Sequence, residues 1–381
     1  MSSRFVFLLT LASCIVVHVS VWAGGNSGNR RKGRDGRNYS VTIQNLVGGQ
    51  PMSPPVAATH HRRINMFKVG EPASPELEAI AEDGNQIPMF DLLEGARRVT
   101  QVVDIGMPLT PSDSVAGGFS DAATFSIRAH GRDRFSLATM LICTNDGFTG
   151  LDRGWLPRHG SRVFLAEGYD AGTENNSEES TDIVDPCSGI GPMPLPGDPN
   201  GNENDAVATD PADVIRHHPN ITGSGDLTAM DHGWDDPVLK ITVTVLDEHA
   251  RTFATRLSGA GEVPPIDTRA KGWAFVSLNR HETELRFLLV ATRIEGVTMA
   301  HIHMGSPNEN GPVVAFLFLA DEPTRHGIAV HGNLTAEDLV GPLEGDFAGL
   351  VERLRAARLY INVHTEAHPS GEIRGQLGAV Y

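Results

Sequence analysis

Apolar and polar residues alternate along residues 39–46, YSVTIQNL, the period-two spacing of a strand with one face buried and the other wet. Similar short patterns recur at 123–129, 135–143, 162–166 and 240–246, with Gly, Pro and Asn between them. After Asp247-Glu248-His249 a second series predicts strands at 253–257, 273–278, 285–291, 298–303, 313–319 and 359–363. Helical spacing is scarce. Residues 75–82 read as a short helix with Ser74 as its N-cap, Thr335 with Asp338 comes close to a capping box, and Phe347, Leu350, Val351 and Leu354 make a helical stripe within 347–357. Short strands punctuated by turn residues predict an all-β protein, two antiparallel β-sandwich units in tandem over residues 39–248 and 249–381, the second with short helices.

The first 23 residues carry one charge, Arg4, then an uncharged apolar stretch over 5–17, and end in Val21-Trp22-Ala23. That is the layout of a secretory signal peptide cut after Ala23, so export is expected. The apolar run falls short of the roughly 20 residues needed to span a bilayer, and no later segment reaches that length. Residues 24–38 hold five bases, one acid and no large apolar side chain before Tyr39, which predicts a solvated basic arm.

The whole chain has 31 Lys+Arg against 47 Asp+Glu, a net charge of −16. With the leader and the basic arm set aside, 25 bases face 46 acids in residues 39–381, a net −21. Such a body repels phosphate backbones, which excludes a nucleic-acid partner. The acid is also concentrated: between Arg162 and Arg216 lie twelve carboxylates and no Lys or Arg. A run of that kind repels itself unless cations neutralise it, and a hard cation taking six to eight oxygens suits carboxylates on Gly- and Asn-rich loops. Of three cysteines, Cys14 leaves with the leader. Cys143 and Cys187 remain, either bridged, as an oxidising compartment permits, or with Cys143 buried as a free thiol in the apolar run MLIC. Their separation offers no zinc-finger spacing.

Residues 40–60 (SVTIQNLVGGQPMSPPVAATH), 70–85 (GEPASPELEAIAEDGN), 137–152 (LATMLICTNDGFTGLD), 168–176 (GYDAGTENN) and 231–245 (DHGWDDPVLKITVTV) together resemble the spondin N-terminal domain in its bacterial form. The resemblance implies a C2-like sandwich, an extracellular setting and one calcium ion, whose ligands fall on Asp146, Asp170 and Glu174. Residues 198–205 (DPNGNEND) imitate the start of an EF-hand loop, but Glu203 stands where Gly is needed and Thr209 where the bidentate Glu is needed, so a plain loop is expected there.

Residues 257–265 (LSGAGEVPP), 300–314 (AHIHMGSPNENGPVV), 332–339 (GNLTAEDL) and 360–377 (YINVHTEAHPSGEIRGQL) resemble the CHRD domain, first described in chordin. His301 and His303 are two apart and so share one face of a strand, and His364 comes from another strand, with His368 following on a loop. Two readings stand side by side. Three converging imidazoles suit zinc or copper; alternatively Glu372 and Arg374 satisfy the rings in a structural network. The His-x-His strand is similar to that of copper/zinc superoxide dismutase, but the further histidines and the bridging aspartate of that enzyme have no ordered counterparts here. No nucleophile elbow, P-loop, dinucleotide-binding glycine motif or His-Glu-x-x-His appears. The expected function is therefore a secreted, calcium-binding, non-enzymatic protein of the adhesion or matrix type, with an extracellular protein, a cell-surface component or a polysaccharide as its partner. The alternative is a secreted metalloprotein or metalloenzyme using the histidine cluster.

Overall fold

In the computed structural model, which describes residues 36–112, 114, 118–193, 195 and 213–380, the alternating segments pair into three antiparallel sheets. In the first, strand Arg37–Asn45 lies between Ala122–Ala129 and Leu239–Leu246, and Ser161–Ala166 forms the far edge. Val41, Ile43, Ile241 and Val243 are wholly buried on one face, and the threonines that alternate with them, Thr42, Thr242 and Thr244, are buried on the other, where the Thr42 and Thr124 hydroxyls meet at 2.8 Å. Arg37 and Asn38, expected in the solvated arm, already pair with Ala129 and Leu246. The strand thus begins two residues early, because ladder hydrogen bonds do not depend on side-chain hydrophobicity. Residues 1–35, with the leader and most of the arm, and the EF-hand-like stretch at 198–205 lie outside the described residues.

The second sheet runs in the order Val99–Asp104, Val56–His61, Asp133–Met140, Gly147–Trp155, Gly168–Asp170, Arg216–His217. Strand Val56–His61 is buried from Val56 to His60 and therefore lacks alternation. Strand Gly147–Trp155 is broken up by glycines, of which Gly150 lies so close to the Leu137 carbonyl that a Cβ would run into it. Periodicity could find neither. Helix Pro75–Asp83, capped by Ser74 Oγ accepting from the Leu77 N–H at 3.3 Å, buries Leu77, Ile80 and Ala81 against this sheet, and helix Ile87–Glu94 adds Met89 and Leu93.

The third sheet takes nine strands from Thr252–Ser258 to Gly378–Ala379, with Thr252–Ser258, Lys271–Leu278, Leu285–Thr292 and Ile328–Leu334 on one side and Val313–Leu319, Val297–Met304, Leu359–Thr365 and Ile373–Gln376 on the other. Helix Phe347–Arg355 buries the stripe Phe347, Leu350, Val351 and Leu354. The Thr335–Asp338 capping box closes a single 3₁₀ turn.

The apolar core runs through both units without a break, from Tyr39 to Ala379. At the junction the Gly160 N–H donates to the Ala379 carbonyl at 3.0 Å, the Gly160 carbonyl accepts from the Val245 N–H at 2.9 Å, and the Ser161 and Thr255 hydroxyls meet at 3.1 Å. Nearby, buried Lys240 donates to the carbonyls of Gly261 and Glu262 at 3.1 and 2.7 Å. Gly160 has φ +64°, and a Cβ there would collide with the Ala254 carbonyl of the second unit. Gly160→Ala is therefore expected to cost about 1–3 kcal/mol, measured by denaturant unfolding. A change under a few tenths of a kcal/mol would mean that the two units are not held this closely.

Candidate metal centres

The first centre is built where strands Gly147–Trp155 and Gly168–Asp170 pair, placing Gly147 opposite Asp170. A tight turn precedes it: Thr144 Oγ1 donates to the Leu141 carbonyl at 2.6 Å and accepts from the Gly147 N–H at 2.8 Å, which aims Asp146 inward. A disulfide joins Cys143 at this turn to Cys187, which lies within the acidic run. Asp146, Asp170 and Glu174 are at most 2% exposed, so none of the three is a solvated loop acid. Asp146 Oδ2 accepts from the N–H groups of Thr173 and Glu174 at 2.8 and 3.1 Å, whereas its Oδ1 is buried without a partner among the described residues. Both carboxylate oxygens of Glu174 are in the same position. Asp170 differs, since its Oδ1 accepts from the Gly172 N–H at 2.9 Å and its Oδ2 from Asn176 Nδ2 at 2.8 Å and the Arg216 guanidinium at 3.1 Å. Arg216 thus supplies a positive charge at Asp170 already.

A fourth acid belongs here that the sequence did not point to. Glu82, at the end of helix Pro75–Asp83, is 7% exposed and hydrogen-bonds to Thr173. It lies far upstream of the acidic run, and only the packing of its helix on the sheet brings it in. Burial, then the charge of Asp170, pushes the Asp146 carboxyl up to about 6. Burial, then Glu82, Asp146 and Asp182, pushes Glu174 up to about 8, and burial pushes Glu82 up to about 7, with Glu78 and Asp146 adding repulsion. Ionising all of them together is costly unless a cation enters.

The second centre lies in the third sheet. Strand Val297–Met304 pairs with Leu359–Thr365 so that Met299 faces His364, His301 faces Asn362 and His303 faces Tyr360. Irregular register on the other edge, between Ala300 and His301 and between Ile302 and His303, accompanies the convergence of the rings. His301, His303 and His364 each offer a ligand nitrogen, and these atoms all lie within 4.8 Å of one another, the one such group of three or more among the described residues. The carboxylates of the first centre do not come together that tightly. His368 stays in the turn, its N–H on Thr365 Oγ1 at 3.1 Å.

The hydrogen bonds around the rings fix their protonation. His303 Nδ1 lies 2.9 Å from the Gly311 carbonyl and His364 Nδ1 lies 2.9 Å from the Pro369 carbonyl. A carbonyl only accepts, so both Nδ1 atoms carry the proton and both Nε2 atoms present a lone pair. His301 Nδ1 is 3.1 Å from His364 Nε2 and is its donor, which leaves His301 Nε2 as a buried lone pair. His303 Nε2 is likewise buried without a partner. The backbone carbonyls behind the rings of His303 and His364 are the usual support of a metal-ligating imidazole. Burial, then His364 and His303, pushes His301 down to about 4, and burial lowers the other two, so all three rings are neutral at pH 7.

The alternative reading, in which Glu372 and Arg374 satisfy these rings, is not what the structure contains. Glu372 accepts from the hydroxyls of Thr268 and Thr365 at 2.8 and 2.9 Å. Arg374 donates to Asn310 Oδ1 and to the carbonyls of Ser306 and Glu309, with its guanidinium 3.4 Å above the Tyr360 ring. What surrounds the histidines is aromatic: Tyr360 stacks on His303 at 4.9 Å and Phe316 meets His301 edge-on at 4.7 Å.

Residues 253–377 match the CHRD domain family. No family match supports the spondin resemblance of residues 39–248. No curated protein matches this chain.

Proposed function

We propose that this chain is an exported, non-enzymatic binding protein of the extracellular matrix or cell surface, in which calcium neutralises the buried acids of the first unit and stiffens the loops that carry them. The observation behind the calcium is the set of buried, unpartnered oxygens on Asp146 and Glu174. Buried polar atoms are nearly always satisfied in folded proteins, and carboxylate oxygens left over at one place fit a hard cation. Asp146 and Glu174 would hold the ion with Glu82 beside them, and Asp170 would enter by exchanging Arg216 for it. Calcium supplies charge neutralisation and cross-linking of loops there, not a reaction step. No described helix is long and apolar enough to cross a membrane; the export part of this reading rests on the leader expected at residues 1–23. Titration calorimetry on chelator-treated protein is expected to give one calcium per chain, lost in Asp146→Asn. Heat within the blank for the unaltered protein would remove the calcium part of this reading, and a secreted form that does not begin at Gly24 would count against the leader.

A second reading concerns the histidines and rests on the two lone pairs fixed by the Gly311 and Pro369 carbonyls. His301, His303 and His364 would hold one zinc or copper ion through Nε2 of His303 and His364 and Nδ1 of His301, whose proton would move to its own Nε2 and so free the His364 Nε2 lone pair. Untagged protein is expected to bind one equivalent of cobalt(II) with the intense visible absorption of a tetrahedral site, and His303→Ala to weaken binding at least tenfold. If the unaltered protein neither retains zinc or copper nor develops that absorption, the cluster is an apolar-packed structural element.

A further inference from the structure

A groove of about 690 Å³ opens between the two units, lined on one side by residues around Trp155 and on the other by the outer face of the third sheet. Its composition runs against that of the chain. Three guanidiniums, Arg158, Arg162 and Arg256, reach it, all exposed, and no Asp or Glu lines it. Among the described residues none of the three has a carboxylate partner. In a folded body of net −21, a cleft free of acids is a local reversal of sign.

The groove is also where large aromatic rings stand open. Trp155 is 60%, Trp273 54% and Phe275 44% exposed. Strand pairing sets the second wall in rows, with Arg256 opposite Trp273 and Trp273 opposite Val290, then Ala254 opposite Phe275 and Phe275 opposite Leu288. The first wall is braced. The Arg134 guanidinium sits 3.2 Å above the Trp155 ring, and Arg162 donates to the Trp155 carbonyl at 3.2 Å while lying 5.2 Å over Phe164. Flat rings held in place, with forked donors between them, match a ligand that has apolar ring faces and carboxylate or sulfate groups on their edges. The two walls flank an open cleft lined by these rings and guanidiniums, which suits an extended chain that can lie along it better than a flat bilayer.

From the open tryptophans of this inter-unit groove and its arginines, which have no carboxylate partner among the described residues, we infer that it binds an acidic polysaccharide, a chain of sugar rings bearing carboxylate or sulfate groups. This deepens the reading of the protein as an extracellular binder and takes from it only that such polymers are within reach. The groove contains no residue of either metal centre.

The test is tryptophan fluorescence and calorimetry of the full chain with oligogalacturonate and with dextran sulfate, in chelator so that calcium bridging plays no part, against neutral dextran and poly-glutamate. Binding of at least one of the acidic polysaccharides is expected, weakening as salt rises. Arg256→Gln with Trp273→Ala should lower that affinity at least tenfold while leaving the melting temperature and circular dichroism near those of the unaltered protein, because both side chains are exposed. Arg158→Gln with Arg162→Gln, on the other wall, serves as the second variant. The inference is overturned if neither acidic polysaccharide binds, if neutral dextran or poly-glutamate binds as well, or if both double variants keep full affinity. Failure of the calcium reading leaves these results unchanged, since chelator is present throughout, and cytosolic retention would refute export without moving them.

Discussion

Calcium is expected to raise the melting temperature of the chelator-treated protein strongly at pH 8 and hardly at all at pH 5. The sign follows from three carboxyls whose folded values lie above their unfolded ones: Asp146 at about 6, Glu82 at about 7 and Glu174 at about 8. An acid of this kind contributes stability that is fully present below its unfolded value, near 4, and is lost as the pH rises through its folded value. Without calcium, the fold should therefore weaken between about pH 4 and 8, as the three groups are made to ionise beside one another. Calcium binds the ionised set and offsets that loss. At one hundred times its dissociation constant it adds about 2.7 kcal/mol, and at roughly 2–4 °C per kcal/mol for a unit of this size that is a shift of about 5–11 °C. Asp146→Asn should abolish the shift and, in chelator at pH 8, should melt higher than the unaltered chain, since it removes one of the repelling charges. Differential scanning fluorimetry across this pH range decides the matter. A calcium shift as large at pH 5 as at pH 8, or an Asp146→Asn protein that still responds, would show that the ion binds elsewhere.

The second large effect concerns the bridge between Cys143 and Cys187. It closes a loop of 44 residues, for which the chain-entropy argument gives about 4 kcal/mol, or roughly 8–16 °C in melting temperature. The loop contains Asp146, Asp170 and Glu174, so losing the bridge should cost calcium affinity as well as stability. Cys143 is placed further by Gln50, which accepts from its N–H at 2.9 Å and donates to its carbonyl at 3.0 Å. The double variant Cys143→Ser, Cys187→Ser is expected to melt lower by that amount and to bind calcium at least tenfold more weakly. Equal melting temperatures for the oxidised and the doubly substituted protein would rule out any stabilising part for the bridge.

Much of the fold was legible because apolar and polar residue types alternate along many strands. Residues 39–46, 240–246 and 253–257 could be placed to within one or two residues for that reason, even though the polar positions Lys240, Thr242 and Thr244 are themselves buried. Strand Val56–His61 could not, since its residues carry no such alternation, nor strand Gly147–Trp155, whose glycines serve close backbone approach. Helix Ile87–Glu94 follows Pro75–Asp83 so closely that its four-residue spacing is lost among turn signals. The site residues divide in the same way. His301 and His303 share a face by local spacing alone, but whether Glu372 reaches them is a matter of which way it turns in the fold, and it turns to Thr268 and Thr365.

Strand periodicity, the sign and concentration of the charge, and the residue types able to hold a metal are properties of neighbours along the chain, and could be read from it. Which of these residues meet is a matter of the folded chain alone. It brought Glu82 to Asp146 and Glu174, gave Asp170 a guanidinium partner in Arg216, turned His301, His303 and His364 toward one point, and stood Trp155 of one unit across from Trp273 of the other. The physical reason is the same in each case. Desolvation and Coulomb repulsion depend on distances through space, and sheet register and helix packing set those distances between residues that the chain keeps far apart.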